Sequence, residues 1–441
     1  MGFGRCHPVT IRAGWATVEI TPPVGTDMGG YWARPGASVG VHDPLRGSVL
    51  LFEADGQRVA VISVDLVGLD AEHADAMRRS IAKEIDTTAA SLLLCSTHTH
   101  SGPLTLSFRG MGDMPSAYLD SLTPKLIKAA RQAALRLEPC QLSTSTAETS
   151  LAINRRAKRS GSLRDGRDPA TLVPPAAHAL DVKTSSGRAV LVHYACHPVV
   201  LGGSNQLISA EWPGVAMRHI EASASVDMAM FVNGACGDLN PQWGNADFDT
   251  VEKAGVLVGE AVVAKLSSGQ PVNGTGLAAT YERIDLPLLD PPSSLRTATG
   301  ASLDALKLAI KKAAFSQDQS LRRVPQARLA WARELLSLAD DASKVQPFAV
   351  HGIRIGDLRL LGLEGEIFAR YQIDLEASQP QVWLCGYTGG CIGYVPTADE
   401  YPRGGYEIDD AYKVYPSVLM VAPESEAVVV EAMQRALRSL S

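Results

Sequence analysis

The sequence has no surplus of charge, no long apolar run and no paired cysteines, and each absence excludes a class of protein. Forty-one Lys and Arg residues against 47 Asp and Glu leave a formal net charge of −6. There is thus no bulk electrostatic case for a nucleic-acid partner or an anionic membrane surface. No stretch approaches the ~18 consecutive apolar residues of a membrane span, so no integral membrane segment is expected. The first residues, MGFGRCHPVTIRAGW, lack the apolar core of an export signal. The seven cysteines (Cys6, Cys95, Cys140, Cys196, Cys236, Cys385 and Cys391) are scattered, odd in number and without CxxC pairs. That pattern argues for reduced thiols and a cytoplasmic protein. With no zinc-finger spacing available, any metal site has to be assembled from distant segments.

What is present is a soluble composition over 441 residues, long for one compact core of ordinary size. The chain alternates strand and helix signals, the rhythm of α/β architecture. Gly47–Glu53 and Arg58–Asp65 flank the hairpin turn Asp55-Gly56. A helical pattern follows over Glu72–Ile85, then an apolar strand, Ala89–Cys95. Ala117–Leu137 reads as a long amphipathic helix that Pro124 should kink or restart. A second hairpin surrounds Ser185–Arg188, a third the Gly356-Asp357 turn, and Val382–Cys385 forms a late strand. Residues 157–174, rich in charge, Gly, Ser and Pro, read as a mobile surface loop and a candidate lid. Residues 291–347 read as a helical hairpin, with helices near 301–315 and 324–339, inserted beside the sheet. The expected fold is α/β, with a large mixed central β-sheet flanked by helices, in a single domain over 1–441.

The chemistry concentrates at strand ends. Leu92–Cys95 runs into Ser96-Thr97-His98-Thr99-His100-Ser101-Gly102-Pro103. A strand's period of two would turn both imidazoles to one side. The strand VLVHYA runs into Cys196-His197-Pro198, which puts a third histidine at a strand terminus. Further polar groups stand at corresponding places: Arg155, Asp238, Glu366 and Tyr394. If the ends converge, two or three imidazoles and a carboxylate suit a zinc ion with one position left for water. Zinc would lower the pKa of that water toward ~7, and an arginine or tyrosine would steady a developing oxyanion. Each residue also has a purely structural reading. His197 fits a core histidine, Glu366 a helix-cap partner, Tyr394 simple packing and Arg155 a surface charge.

The chain resembles the catalytic domain of the neutral/alkaline non-lysosomal ceramidases. The stretches that carry the resemblance are AGWATVEITPPVGTDMGGYW, VHDPLRG, VISVDLVG, STHTHSGP, INRR, ACHPVVLGG with SAEWPG, NGACGDLNP, LEGEIF and GYTGGCIGYVPTADEYPRGGYE. They keep the family's order across residues 13–407. The resemblance implies that His98, His197, Glu366 and Tyr394 hold a zinc ion. It implies a catalytic role for His100 beside the metal. Arg155 would help hold the substrate carbonyl, and Tyr406 would be a second tyrosine near the reacting amide. Two departures stand out. Asn240 occupies the place of a family serine implicated in amide cleavage, and asparagine has no hydroxyl. After the catalytic region, the C-terminal β-sandwich domain of family members that act on ceramide is not expected here.

The expectation is therefore a zinc-dependent hydrolase that cleaves an amide or ester bond of a small, soluble acylated substrate. Two alternatives stay open: a ceramidase proper acting on N-acylsphingosine, and an inactive zinc-containing protein that binds an acylated ligand. A homo-oligomer is compatible with the sequence, although no exposed stripe marks a contact.

Overall fold

In a computed structural model of the chain, three β-β-α-β units supply the main sheets. The structure describes residues 10–32, 34–156, 173, 174, 176–291, 293–314, 316, 318–339 and 343–441. The lid expected over 157–174 lies outside the described residues except for 173 and 174. The first unit pairs Arg46–Ala54 with Gln57–Val64, continues through helix α1 (Ala71–Glu84), and returns as Leu92–Ser96 parallel to Gln57–Val64. In the second, Ala176–Lys183 and Arg188–Tyr194 form the hairpin. Helix α3 (Glu211–Ser223) then leads to Met228–Asn233, parallel to Arg188–Tyr194. The third comprises Val345–Ile355, Leu358–Leu363, helix α7 (Ala369–Ser378) and Val382–Cys385. Helix α2 (Ser116–Leu135) and helix α4 (Phe248–Leu266) cover the first and second units.

The α/β class with mixed sheets and flanking helices is as expected, and the strands divide among three principal sheets. Each sheet contains one parallel pair, and a parallel pair delivers both its carboxyl ends to one edge, where α/β proteins place their sites. Apolar side chains lock the three sheets together. Phe52, Val61 and Leu93 of the first meet Leu191 and Met230 of the second and Ile353, Leu360 and Trp383 of the third in one buried cluster. Backbone bonds join the strand ends directly. Ser96 N–H donates to the Tyr387 carbonyl at 3.0 Å, Gly389 N–H to Leu94 at 2.8 Å, and Gly386 N–H to Asn233 at 3.0 Å.

Helix α2 runs through Pro124 as one element, with Leu119, Leu122, Leu126 and Ala130 buried along one face. The burial of that stripe outweighs the one backbone bond that proline removes. The insertion is helical, but its helices start earlier than the sequence pattern suggests: α5 at Ser293–Lys312 and α6 at Ser320–Ser337. Pro325 lies inside α6, past its first turn, and the helix runs through it. Helix α6 also reaches inward. Arg323 pairs with Asp27, Glu334 with Arg109, and Trp331 Nε1 donates to the Val418 carbonyl at 2.8 Å. Helix α8 (Ser425–Ser439) packs on the third sheet. No described helix is long and apolar enough to cross a membrane.

Candidate active site

His98 and His100 leave the Leu92–Ser96 strand through a turn rather than as a continuation of it. His98 has φ +68°, a left-handed conformation uncommon for a residue with a Cβ. Backbone bonds hold that turn: Thr97 N–H to Val64 and His98 N–H to Leu66, both at 2.9 Å. The two imidazoles do converge, with Nε2 atoms 3.0 Å apart, but the turn achieves this instead of strand alternation. The backbone of Gly30 lies against the His100 ring. Its φ is +90°, and a Cβ there would fall 2.4 Å from His100 Cγ, so only glycine fits.

His197 follows the Arg188–Tyr194 strand and enters from the second sheet, its ring centroid 4.9 Å from that of His98. Glu366 follows Leu358–Leu363 and enters from the third. A two-residue parallel bridge sets Glu366 in register with Tyr394 and Ile367 with Val395. His197 Nε2 is 3.1 Å, and His98 Nε2 3.5 Å, from the same oxygen, Glu366 Oε2. The other carboxylate oxygen accepts the hydroxyl of Tyr415. His98, His197 and Glu366 are each at most 2% exposed.

Tautomers follow from the partners on the far side of each ring. His98 Nδ1 contacts the Val67 carbonyl, and His197 Nδ1 lies 2.7 Å from the Cys236 carbonyl and 2.8 Å from that of Leu239. A carbonyl only accepts, so both Nδ1 atoms carry the proton and both Nε2 atoms present lone pairs. Two lone pairs thus face a carboxylate oxygen in a site without water's dielectric. Such a donor set is repulsive unless a cation lies between its members. Ligand atoms around a tetrahedral zinc stand roughly 3.3 Å apart for bond lengths of about 2.0–2.1 Å. The observed 3.1 and 3.5 Å bracket that spacing. The nitrogens of His98, His100 and His197 also lie within 4.8 Å of one another.

Arg155 lies beside this cluster. The short strand Ala152–Asn154 pairs with Leu239–Pro241, and Arg155 N–H donates to the Asp238 carbonyl at 2.9 Å. The guanidinium then commits four of its five N–H donors locally. Nε bonds Glu407 at 2.7 Å, Nη1 bonds Asn240 Oδ1 at 3.1 Å, and Nη2 bonds the Gly237 carbonyl at 2.7 Å and the Tyr394 hydroxyl at 3.0 Å. Tyr406 stands at the mouth, 50% exposed, its ring 6.0 Å from that of Tyr394. Asp238 faces elsewhere. Its oxygens accept Ala369 N–H at the start of α7 and the Asn154 amide, both at 2.7 Å, so it fixes the frame beneath Arg155.

The electrostatics follow from burial. It pushes His197 down to about 4, partly offset by Glu366, and holds His100 well below the ordinary imidazole value. Burial raises Asp238 to about 6.

Three contributors had no signal in the sequence. Tyr415 binds Glu366, Tyr387 stacks on His98 with centroids 3.9 Å apart, and Glu407 pairs with both Arg155 and Arg156. Tyr387 and Glu407 fall inside the quoted stretch GYTGGCIGYVPTADEYPRGGYE, as its second and last residues, but nothing there marks their partners.

The fold and site together define a mixed-sheet α/β protein with a histidine–carboxylate centre at converging strand ends. The family model for the N-terminal region of neutral/alkaline non-lysosomal ceramidases matches residues 12–256, more than half the chain. The protein belongs to that family and is a ceramidase-like hydrolase. A crystal structure of neutral ceramidase from Pseudomonas aeruginosa superposes with TM-score 0.70 at 18% identity, covering 98% of this chain and 74% of that one. A second structure, described as ceramidase complexed with C2, gives TM-score 0.71 at 18% identity, covering 98% and 75%. No curated protein matches the sequence. His98, His100, Arg155, His197 and Asn240 fall inside the matched family region, whereas Glu366, Tyr394 and Tyr406 lie beyond it.

Proposed function

We propose that the protein is a zinc-dependent hydrolase that cleaves an amide C–N or ester bond of an acylated substrate. The observation that carries the reading is the set of lone pairs from His98 Nε2, His197 Nε2 and Glu366 Oε2 meeting in a dry pocket with no proton between them. His98, His197, Glu366 and Tyr394 would hold the ion. Bound there, zinc supplies Lewis acidity and lowers the pKa of a water toward ~7.

The chain's own residues supply the rest. Arg155, fixed by Glu407, Asn240 and the Gly237 carbonyl, holds a positive charge beside Tyr394 without needing to reorganise, as stabilisation of a carbonyl oxyanion requires. His100 moves the proton. Its Nε2 stands 3.0 Å from His98 Nε2, beside the place the ion would take, so this nitrogen faces the reacting groups. Burial keeps that imidazole neutral and able to accept a proton, then pass it to the departing nitrogen or oxygen. Tyr406, at the mouth, hydrogen-bonds the substrate beside the reacting carbon.

Family membership points to a lipid amide, and Asn240 is the departure that bears on substrate fit. Its side-chain oxygen is engaged by Arg155, where a serine would offer a shorter side chain and a hydroxyl. A panel of N-acyl amides and esters with short and long chains, including N-acylsphingosine, tests the reading before chelation, after it, and after zinc is restored. Cleavage that disappears with chelation and returns with zinc supports it. No cleavage by a protein with zinc bound would favour a ligand-binding role.

A further inference from the structure

A second cluster of metal-binding side chains lies on the Ala176–Lys183 and Arg188–Tyr194 hairpin, where it meets α7. His178 and His193 are directly opposite each other in the antiparallel register, so their side chains share one face of the sheet. Glu376, on α7, completes the group. One donor atom from each of the three lies within 4.8 Å of the others. His178 Nε2 is 3.3 Å from Glu376 Oε1.

The hydrogen bonds again dictate which nitrogens are free. His193 Nε2 lies 2.9 Å from the Leu384 carbonyl and must donate to it. His193 Nδ1 therefore carries a lone pair. That atom is buried, belongs to a fully buried residue and has no hydrogen-bond partner. An acceptor stranded in this way is destabilising unless something satisfies it. His178 Nε2 is buried and faces only Glu376 Oε1, while its Nδ1 has Thr146 Oγ1 at 3.3 Å. The Trp383 ring lies nearly parallel to both imidazoles, at 17° to each and 5.5 and 5.8 Å away, which fixes their planes. Gln372 donates to Glu376 Oε1 at 2.7 Å and orients the carboxylate. Backbone, amide and aromatic neighbours thus set the ring planes, the carboxylate and one histidine tautomer, as the outer partners of metal ligands do.

We propose that His178, His193 and Glu376 form a second site for a divalent transition metal of the zinc and cobalt class, with water in the remaining position. Two imidazoles and one carboxylate are a donor set that such ions prefer over magnesium or calcium, which take mostly oxygen. Ligands of a tetrahedral ion stand roughly 3.3 Å apart, so binding draws the donor atoms together. Glu376, which keeps 15% of its side chain exposed, can supply that movement. A cavity of about 40 Å³ lined by Thr146, His178 and Trp383 lies against the His178 side of the cluster. The ion would clamp the second sheet to α7. Gln372 extends the clamp toward the active site, because its Oε1 also accepts Ala235 N–H at 2.9 Å, next to the Cys236 carbonyl that orients His197. Burial pushes His193 down to about 4, so the ring is neutral and its lone pair available at physiological pH.

The test is a cobalt titration of the metal-free protein, read by visible d–d absorption and by metal content after gel filtration. The native chain should retain two equivalents. The His98→Ala/His197→Ala double variant should retain one, which the further change Glu376→Gln or His178→Gln should abolish. Glu376 is partly accessible, so the test does not depend on a core substitution at His193. Retention of a single equivalent that the His98→Ala/His197→Ala change removes would overturn the proposal. So would a second equivalent unaffected by both Glu376→Gln and His178→Gln. Because the readout is metal content, the outcome does not depend on finding the enzyme's substrate.

Discussion

Replacing Tyr415 with Phe isolates one contact of the active site. The ring packs edge-on against Phe108, with centroids 5.0 Å apart, and is 5% exposed, so phenylalanine preserves its shape and burial. Only the hydroxyl that donates to Glu366 Oε1 is lost. A hydrogen bond to a charged group contributes about 1.5–3 kcal/mol, and leaving a buried carboxylate oxygen bare incurs a desolvation cost of similar size. If Glu366 holds zinc through its other oxygen, Tyr415 both aligns the carboxylate and tempers its charge. Loss of such an outer partner typically weakens metal binding about 10–100-fold. That range corresponds to roughly 1.4–2.7 kcal/mol, which agrees with the hydrogen-bond figure. Competition with a chromophoric chelator measures the zinc affinity, and far-ultraviolet circular dichroism checks that the fold is retained. Zinc affinity within twofold of the native protein, with the fold intact, would refute the assignment. It would shift the ion toward the three-histidine set of His98, His100 and His197.

Three further outcomes are expected. His98→Ala should lose both zinc and turnover, whereas His100→Ala should keep zinc and lose about 10²–10⁴ in kcat, the usual worth of a positioned proton carrier; full activity of His100→Ala would remove that role. Arg155→Lys keeps the charge but cannot reproduce the four directed bonds to Glu407, Asn240, Gly237 and Tyr394. Its kcat should fall by about 10²–10³, as when an oxyanion donor is removed, with little change in zinc content. Burial raises Asp65 from 3.8 to about 7. The folded chain therefore holds a proton that the unfolded chain has released, and stability from this group is present below pH ~4 and is lost as pH rises toward 7. The span corresponds to on the order of 4 kcal/mol as an upper bound. Asp65→Asn should thus unfold in urea at a higher midpoint than the native chain at pH 8 and lose that advantage at pH 4; equal differences at both would contradict the argument.

The strand-end motifs were legible because their chemistry is local. An apolar run that breaks into Thr-His-Thr-His, or Tyr-Ala-Cys-His-Pro, announces a buried strand and a polar terminus in a few residues. The three hairpins were legible for the same reason, since Asp55-Gly56, Ser186-Gly187 and Gly356-Asp357 are turn pairs between apolar stretches. The insertion helices were legible in kind but began earlier than expected. Asp238 looked like a site carboxylate and instead caps α7, because no sequence rule says which way a buried aspartate points.

The sequence alone determined which atoms are available: three imidazoles, a carboxylate, an arginine and two tyrosines on segments that end strands. Their order and motifs also sufficed to identify the family. Only the tertiary structure decided how those atoms face one another. The left-handed turn at His98 sets the two Nε2 atoms 3.0 Å apart, and the carbonyls of Val67, Cys236 and Leu239 fix the tautomers. Tyr415 reaches Glu366 across 49 residues, and Arg155 reaches Glu407 across 252. Tyr415 carries no mark in the one-dimensional chain, and nothing in GGYE pairs Glu407 with Arg155. A hydrogen bond depends on ångström-scale placement, and that placement is set by how three separate sheets pack against one core, not by any residue's neighbours in sequence.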